Sequence, residues 1–350
     1  MNDSNNLKPI LPIKEIYNIN SIICLTIGGI LNLFVIWLVA NKTPKEMRVY
    51  AKIILQTSFC DLALLIFGHL VQPIIFVADG IAIVIENGIA NNWERPWNIL
   101  IYDFWFFISL FVSVGVAVQF FYRYLILCRD IEIKTGGYFL ILTIAAIAEG
   151  ILLSFFYWIG YPSYEAKIEN EQILRILRET INNNTKMSLR PTLYGNRSDI
   201  RWVIWLACFF LYGIFCYVII WFCFSKIVDY IRKNLKQSST CPRVNELNRQ
   251  MTMNMAIQWT PTCNASIPVL DILVFMFVTF ASIADATSDW FICLTMLMGP
   301  IINWIPVLNP LATIITVAPY RRTLIKVGPS LPPAINSARP PSKLLYRSSN

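Results

Sequence analysis

Charge is scarce in this chain of 350 residues. Asp, Glu, Lys and Arg make up only 14% of it, against about 25% in ordinary soluble domains. Length alone would suggest two soluble domains, and this composition overrides that expectation. Histidine is scarcer still: His69 stands alone, which excludes a metal site built from several imidazoles and removes the usual residue of acid–base catalysis. There is no glycine-rich phosphate loop, no His-Glu-x-x-His and no nucleophile elbow. An enzyme is therefore not expected, nor a resident cofactor or metal. No basic segment interleaves with aromatics, so the net charge of +8 does not point to nucleic acid. An internal repeat, the mark of many secondary transporters, is missing. The first 18 residues are polar and carry no cleavable signal peptide.

Apolar residues are what the chain has in excess, at 56%. They gather in runs near the roughly 20 residues that a membrane helix needs. Seven spans are expected, at about 19–40, 53–77, 99–127, 138–159, 202–224, 255–280 and 290–317. The fold class is an all-α membrane protein, a seven-transmembrane helix bundle, with residues 1–18 ahead of it and a basic, proline-bearing, disordered tail at 319–350. The sixth span is the least apolar, because Gln258, Thr260, Pro261, Thr262 and Asn264 occupy its first half. Cys24, Cys60, Cys208, Cys216, Cys223, Cys263 and Cys293 fall inside apolar runs, where cysteine packs as a small apolar residue.

Orientation follows from charge. With the N-terminus outside, the first inner loop holds Lys42, Lys45, Arg48 and Lys52, and the second holds Arg123, Arg129 and Lys134. Lys226, Arg232, Lys233, Lys236, Arg243 and Arg249 fall in the third, and six more Lys and Arg in the tail. Nineteen of the 29 basic residues thus lie inside, and the short outer segments hold only Lys8, Lys14 and Arg95. This is the positive-inside pattern. It places the glycosylation sequons at Asn2, Asn183 and Asn196 outside. Apolar positions 227, 228, 231 and 235 suit a helical continuation of the fifth span.

A charge at a helix centre costs about 2.5–3.5 kcal/mol on insertion scales, so each one retained there calls for a partner or a role. Asp61, Glu149 and Asp271 lie deep. Asp61 shares its depth with Asn32 and Asn309, and the three suit one interhelical network; a protonated carboxyl satisfied by a single neighbour is the plainer alternative. Arg123, between Tyr122 and Tyr124, is either a gate at the inner end of the third span or a side chain snorkelling to the interface. His69, Asp103, Phe106, Phe107, Asp271 and Trp290 could line a mostly apolar outer pocket with a few polar anchors. Pro261, Pro268, Pro300, Pro306 and Pro310 break the last two spans, as suits helices that swing. Glu149 has no evident partner. A transporter or channel component would use the deep acids as an ion path, but the odd span count and the missing repeat argue against it.

Four stretches carry a family likeness. They are Lys42-Thr-Pro-Lys-Glu-Met-Arg-Val-Tyr, Ile54-Leu-Gln-Thr-Ser-Phe-Cys-Asp-Leu, Val118-Gln-Phe-Phe-Tyr-Arg-Tyr-Leu-Ile-Leu-Cys-Arg and Pro306-Val-Leu-Asn-Pro-Leu-Ala-Thr-Ile-Ile, closing with Tyr320-Arg321-Arg322. Over about residues 15–325 the chain resembles G-protein-coupled receptors, and among them the nematode serpentine chemoreceptors of the Str superfamily, nearest the delta class. The resemblance implies a small environmental molecule bound among the outer helix halves, and a heterotrimeric G protein docked inside. It also implies a plasma-membrane protein of sensory-neuron cilia. Arg123 would take the place of the arginine in the receptor Asp-Arg-Tyr motif, with Tyr122 standing where the acid is usual. Asn309-Pro310 would begin the seventh-span motif, with Thr313 in the place of its tyrosine. The usual outer disulfide has no cysteines to form it.

Overall fold

A computed structural model describes residues 13–43, 48–78, 81–94, 96–131, 135–160, 192–196, 198–236 and 289–327. The span expected at 255–280 lies outside these residues, with Pro261, Pro268 and Asp271; so do Asn2, Asn183 and the tail from residue 328.

Five described helices are long and apolar enough to cross a membrane. They are α1 (Ile13–Lys42), α2 (Arg48–Val71), α3 (Trp97–Arg129), α4 (Thr135–Gly160) and α5 (Ile200–Lys236). Four of them cover an expected span whole and α2 covers the second as far as Val71; α5 runs on through the basic stretch as its periodicity suggests. The helices invert the soluble pattern, as they must in lipid. On α1, Ile19, Ile23, Ile27, Ile30 and Leu33 face outward, while Tyr17, Ser21, Cys24, Asn32 and Val35 are buried. Lipid is as apolar as isoleucine, so small and polar residues carry helix contact there. The most enclosed helix is α3, buried continuously over 112–120. It packs on α2, α4 and α5. Asp130, in the left-handed region at φ 52°, ends it. At the start of α5, Asp199 Oδ1 accepts the Arg201 backbone N–H at 2.9 Å, and the Arg201 guanidinium pairs with the same carboxylate and lies over the Trp158 ring of α4.

The last expected span is broken. Helices α6 (Asp289–Ile302) and α7 (Ile305–Thr316) meet at a bend of 43°. Pro300 lies inside α6, Pro310 inside α7, and Pro306 at the first turn of α7. Counted as one span, the bent pair brings the described crossings to six. A short helix, α8 (Ala318–Val327), follows. It occupies the beginning of the stretch expected to be disordered tail, and Tyr320, fully buried, anchors it by an Oη–Thr43 Oγ1 bond of 2.8 Å.

One feature corrects the all-α expectation. The second span does not extend to residue 77. Helix α2 stops at Val71, Gln72 takes φ 44°, and Pro73 cannot continue the helix. Beyond it, β1 (Pro73–Ala78) and β2 (Ile81–Glu86) form an antiparallel hairpin, and β3 (Leu193–Asn196) pairs with β2. The register sets Pro73 opposite Glu86, Ile75 opposite Val84, and Ile83 opposite Tyr194. This sheet joins two connections at one end of the bundle. Two glycines let it dock. A Cβ on Gly195 of β3 would lie 2.2 Å from the Trp202 ring of α5, and one on Gly299 of α6 would lie 2.7 Å from the Pro73 carbonyl.

Candidate functional site

Prolines inside α6 and α7 free backbone carbonyls, and α1 supplies the donors. In an α-helix the carbonyl of residue i accepts from the N–H of residue i+4. Pro300 has no N–H for the Met296 carbonyl, and Tyr17 Oη donates to that carbonyl instead. Pro310 has none for the Pro306 carbonyl, and Asn32 Nδ2 donates there at 2.7 Å. At the bend, the Trp304 N–H turns to Ile301, and Asn20 Nδ2 donates to the Pro300 carbonyl at 3.2 Å. The Trp304 indole N–H returns to Asn20 Oδ1 at 3.0 Å. A buried orphan carbonyl is costly in lipid, so these donors permit the broken helix to exist.

Asp61 lies beside this seam. Its carboxylate is buried, and Asn309 Nδ2 donates to Asp61 Oδ1 at 3.1 Å. The expected three-way network therefore centres on α7. Asp61 reaches it through Asn309, and Asn32 reaches it through the backbone at Pro306. A small cavity next to this joint is lined by Gln56, Thr57 and Cys60 of α2, Ser113 and Gln119 of α3, and Asn309. Gln119 Nε2 donates to Thr57 Oγ1 at 3.1 Å, and Tyr138 Oη of α4 donates to Gln56 Oε1.

At the end of the bundle away from the sheet, Arg123 is buried at 3% exposure rather than snorkelling. Tyr122 meets Tyr138 of α4 edge-on at 4.9 Å, and Tyr124 meets Phe222 of α5 at 5.6 Å. The two tyrosines hold α3 between its neighbours on either side of the arginine. Arg129 Nε donates to Tyr124 Oη at 2.9 Å.

Of the residues expected in one outer pocket, the described ones turn to different neighbours, and Asp271 lies outside the described residues. The His69 ring hydrogen-bonds to Ser21 of α1, with Nδ1 and Oγ 2.9 Å apart. Phe106 belongs to an aromatic cluster with Tyr102 and Trp105 of α3, Phe156 of α4, and Phe209 of α5. Phe107 stacks on Phe111. Trp290 falls in the first turn of α6. Asp103 stays near the sheet, where its neighbour is a residue the apolar pattern concealed. Glu86, fully buried at the end of β2, has its carboxyl pushed up to about 8 by burial and then by Asp103. Both Glu86 oxygens and Asp103 Oδ1 lack hydrogen-bond partners among the described residues. The signal that could have found Glu86 is Asp79-Gly80, a hairpin dipeptide between two β-branched runs. Glu149 of α4 is buried, with neither oxygen paired among the described residues, and within electrostatic reach of Tyr212 and Cys216 of α5. Among the described residues no group of three or more His, Cys, Asp or Glu could hold a metal ion. Asn196 closes β3, its Oδ1 accepting the Ser198 N–H at 2.9 Å.

The model of the serpentine-type seven-transmembrane chemoreceptor family Str matches residues 17–325. The chain belongs to the Str family. Its members are chemoreceptors of the G-protein-coupled type, so the chain is a chemosensory receptor and a multi-pass membrane protein, of a receptor family rather than an enzyme family. The match runs from Tyr17, the first donor to the broken helix, into α8. No curated protein matches the chain. In this Str receptor the joint at Asn32, Asp61, Asn309 and Pro310, and the Tyr122-Arg123-Tyr124 segment, lie within the matched region.

Proposed function

We propose that this receptor is a ligand-driven switch of seven spans with its N-terminus outside. A small environmental molecule binds among the helix halves at the sheet end, and a heterotrimeric G protein docks at the opposite, cytoplasmic face. The observation that carries this reading is the last helix. It is broken at 303–304, and its freed carbonyls are held by side chains of another helix rather than by its own backbone. Side-chain bonds can exchange partners where backbone bonds cannot, so α6 and α7 can swing about the Asp61–Asn309 joint. Moving a switch from 1:99 to 99:1 takes about 5.5 kcal/mol of differential ligand binding. Arg123, Tyr122 and Tyr124 read the motion at the G-protein face. Of the residues expected around the ligand, we keep Asp103 and Phe106, which lie on α3 at the sheet end, as its contacts; His69 and Phe107 are engaged by Ser21 and Phe111. The charge distribution supports the orientation, with the Asn2, Asn183 and Asn196 sequons outside. The quoted motifs favour the delta class, at the plasma membrane of sensory cilia.

The experiment is expression with a Gα subunit and a screen of volatile and soluble compounds. A responding ligand is expected, and Arg123→Ala is expected to abolish the response while leaving surface expression intact. An unchanged response in Arg123→Ala would remove the switch role. A glycosidase-sensitive gel shift lost in Asn183→Gln/Asn196→Gln checks the orientation.

A further inference from the structure

Of the residues in β1 and β2, only Glu86 can carry a charge. Side chains alternate along a strand, so Glu86 shares a face with Ala82 and Val84. Those two pack in one apolar cluster with Ile75 and Val77 of β1 and with Ile99 and Tyr102 of α3. The charge-bearing side chain of the hairpin is thus on the face that docks. It is fully buried, and neither of its oxygens has a donor among the described residues. Its surroundings offer no compensation. Asp103 and Tyr102 of α3 are within its electrostatic reach, and Asp103 is itself an acid with Oδ1 unpaired. On the other elements packed against β2, β1 and the turn at Ile89–Asn92 carry no titratable side chain, and β3 carries only Tyr194. Among the described bases at this end of the bundle, His69 is bonded to Ser21, Arg201 is paired with Asp199, and Lys14 is exposed.

A carboxylate at this position would be an uncompensated buried charge, and a second charge on Asp103 would repel it. Docked on α3, Glu86 therefore holds a proton: burial and then Asp103 push its carboxyl up to about 8. Released into water, the same carboxyl returns to its ordinary 4.5. The docked hairpin binds a proton that the released hairpin gives up, so docking weakens as pH rises from 4.5 to 8 and changes no further above that. Release would reach the broken last helix directly. β1 packs on α6, where a Cβ on Gly299 would lie 2.7 Å from the Pro73 carbonyl, one residue before Pro300. We infer that this receptor reads alkalinity as a stimulus: hydroxide takes the Glu86 proton to form water, and the charged hairpin leaves α3 and α6. The inference rests on the ligand-switch reading for its outward-facing end and its signal, and it adds a stimulus that needs no organic ligand.

Amide hydrogen exchange on the full chain in lipid nanodiscs, from pH 5.5 to 8.5 with the intrinsic exchange rate divided out, makes the test. Protection over residues 74–77 and 82–86 is expected to fall by at most about tenfold per pH unit up to pH 8 and then to level off. The buried stretch of α3 at 112–120 is expected to keep its protection. Glu86→Gln is expected to abolish the fall, and Asp103→Asn to end it at a lower pH. If Glu86→Gln does not fold, Glu86→Leu, which fills the apolar face without a charge, carries the test. With a Gα subunit and no added compound, a step from pH 6 to pH 8 is expected to change signalling in the native chain and not in Glu86→Gln. The inference is overturned if hairpin protection ignores pH, if it falls as steeply without Glu86, or if alkali leaves signalling unchanged in a receptor that answers a compound. Hydrogen exchange needs no G protein. If the native chain signals to nothing, the switch reading fails, while hydrogen exchange still decides the alkaline release. A compound that signals while the hairpin ignores pH would sink only this inference.

Discussion

Tyr17→Phe removes one oxygen and tests whether α1 serves the broken helix. In the native chain the Met296 carbonyl has no backbone donor, because residue 300 is proline, and its donor is Tyr17 Oη. Tyr17 is 2% exposed and Met296 5%, so water cannot replace the lost hydroxyl. An orphaned buried acceptor costs about 1–3 kcal/mol, while interhelical bonds measured in a membrane protein average about 0.6 kcal/mol and reach about 1.7. A loss of about 1–2 kcal/mol is expected. The second half of the cycle is Pro300→Ala, which returns an N–H to position 300 and gives Met296 a donor within α6. In that background Tyr17→Phe should cost only a few tenths of a kcal/mol. The coupling is thus about 1 kcal/mol, roughly a fivefold difference in the unfolding equilibrium constant. Equilibrium unfolding by dodecyl sulfate in mixed micelles, followed by far-ultraviolet circular dichroism, measures all four variants. Equal costs of Tyr17→Phe in both backgrounds, within about 0.3 kcal/mol, would show that the hydroxyl does not stand in for the missing N–H, and the account of α1 would fail.

The same logic pairs Asn32→Leu with Pro310→Ala: the asparagine variant should cost about 1–2 kcal/mol natively and clearly less once residue 310 can donate to the Pro306 carbonyl, in the same unfolding assay. Gly195→Ala should destabilise by about 1–3 kcal/mol, because its Cβ would fall 2.2 Å from the Trp202 ring, and Trp202→Leu should relieve most of that cost; additive losses would mean β3 does not dock on that ring. Glu86 should make stability depend on pH. Its folded value of about 8 stands above the ordinary 4.5, so the folded state keeps a proton that the unfolded chain loses. Stability should therefore fall as pH rises from 4.5 to 8, by at most about 1.4 kcal/mol per pH unit, and then level off. Melting curves between pH 5 and 9 should flatten in Glu86→Gln; identical slopes would place Glu86 in a wetter setting.

The five described spanning helices and the break at Pro300 to Pro310 follow from residue type alone. A bilayer demands long uncharged runs, and proline lacks a donor wherever it stands. Asp61 and Asn309 were also legible as partners, since two polar groups at one depth in lipid have few others to choose. Three things were not legible. Residues 73–77 are as apolar as a helix, so hydropathy carried the second span through a strand, and the Gln72 turn and the pairing with 81–86 reveal the hairpin. Glu86 drew no notice in the sequence, and only the pairing of β2 with β1 and β3 buries it within electrostatic reach of Asp103. The residues foreseen in one pocket part company because helix rotation, which sequence spacing leaves open, turns His69 to Ser21 and Phe106 to Phe156 and Phe209. By itself the sequence determined what each segment needs: a lipid-facing side, or a donor for an orphaned carbonyl. The tertiary structure decided who meets the need, because Tyr17 and Met296, or Asn32 and Pro306, are more than 270 residues apart in the chain and come together only when α1 packs along the last span.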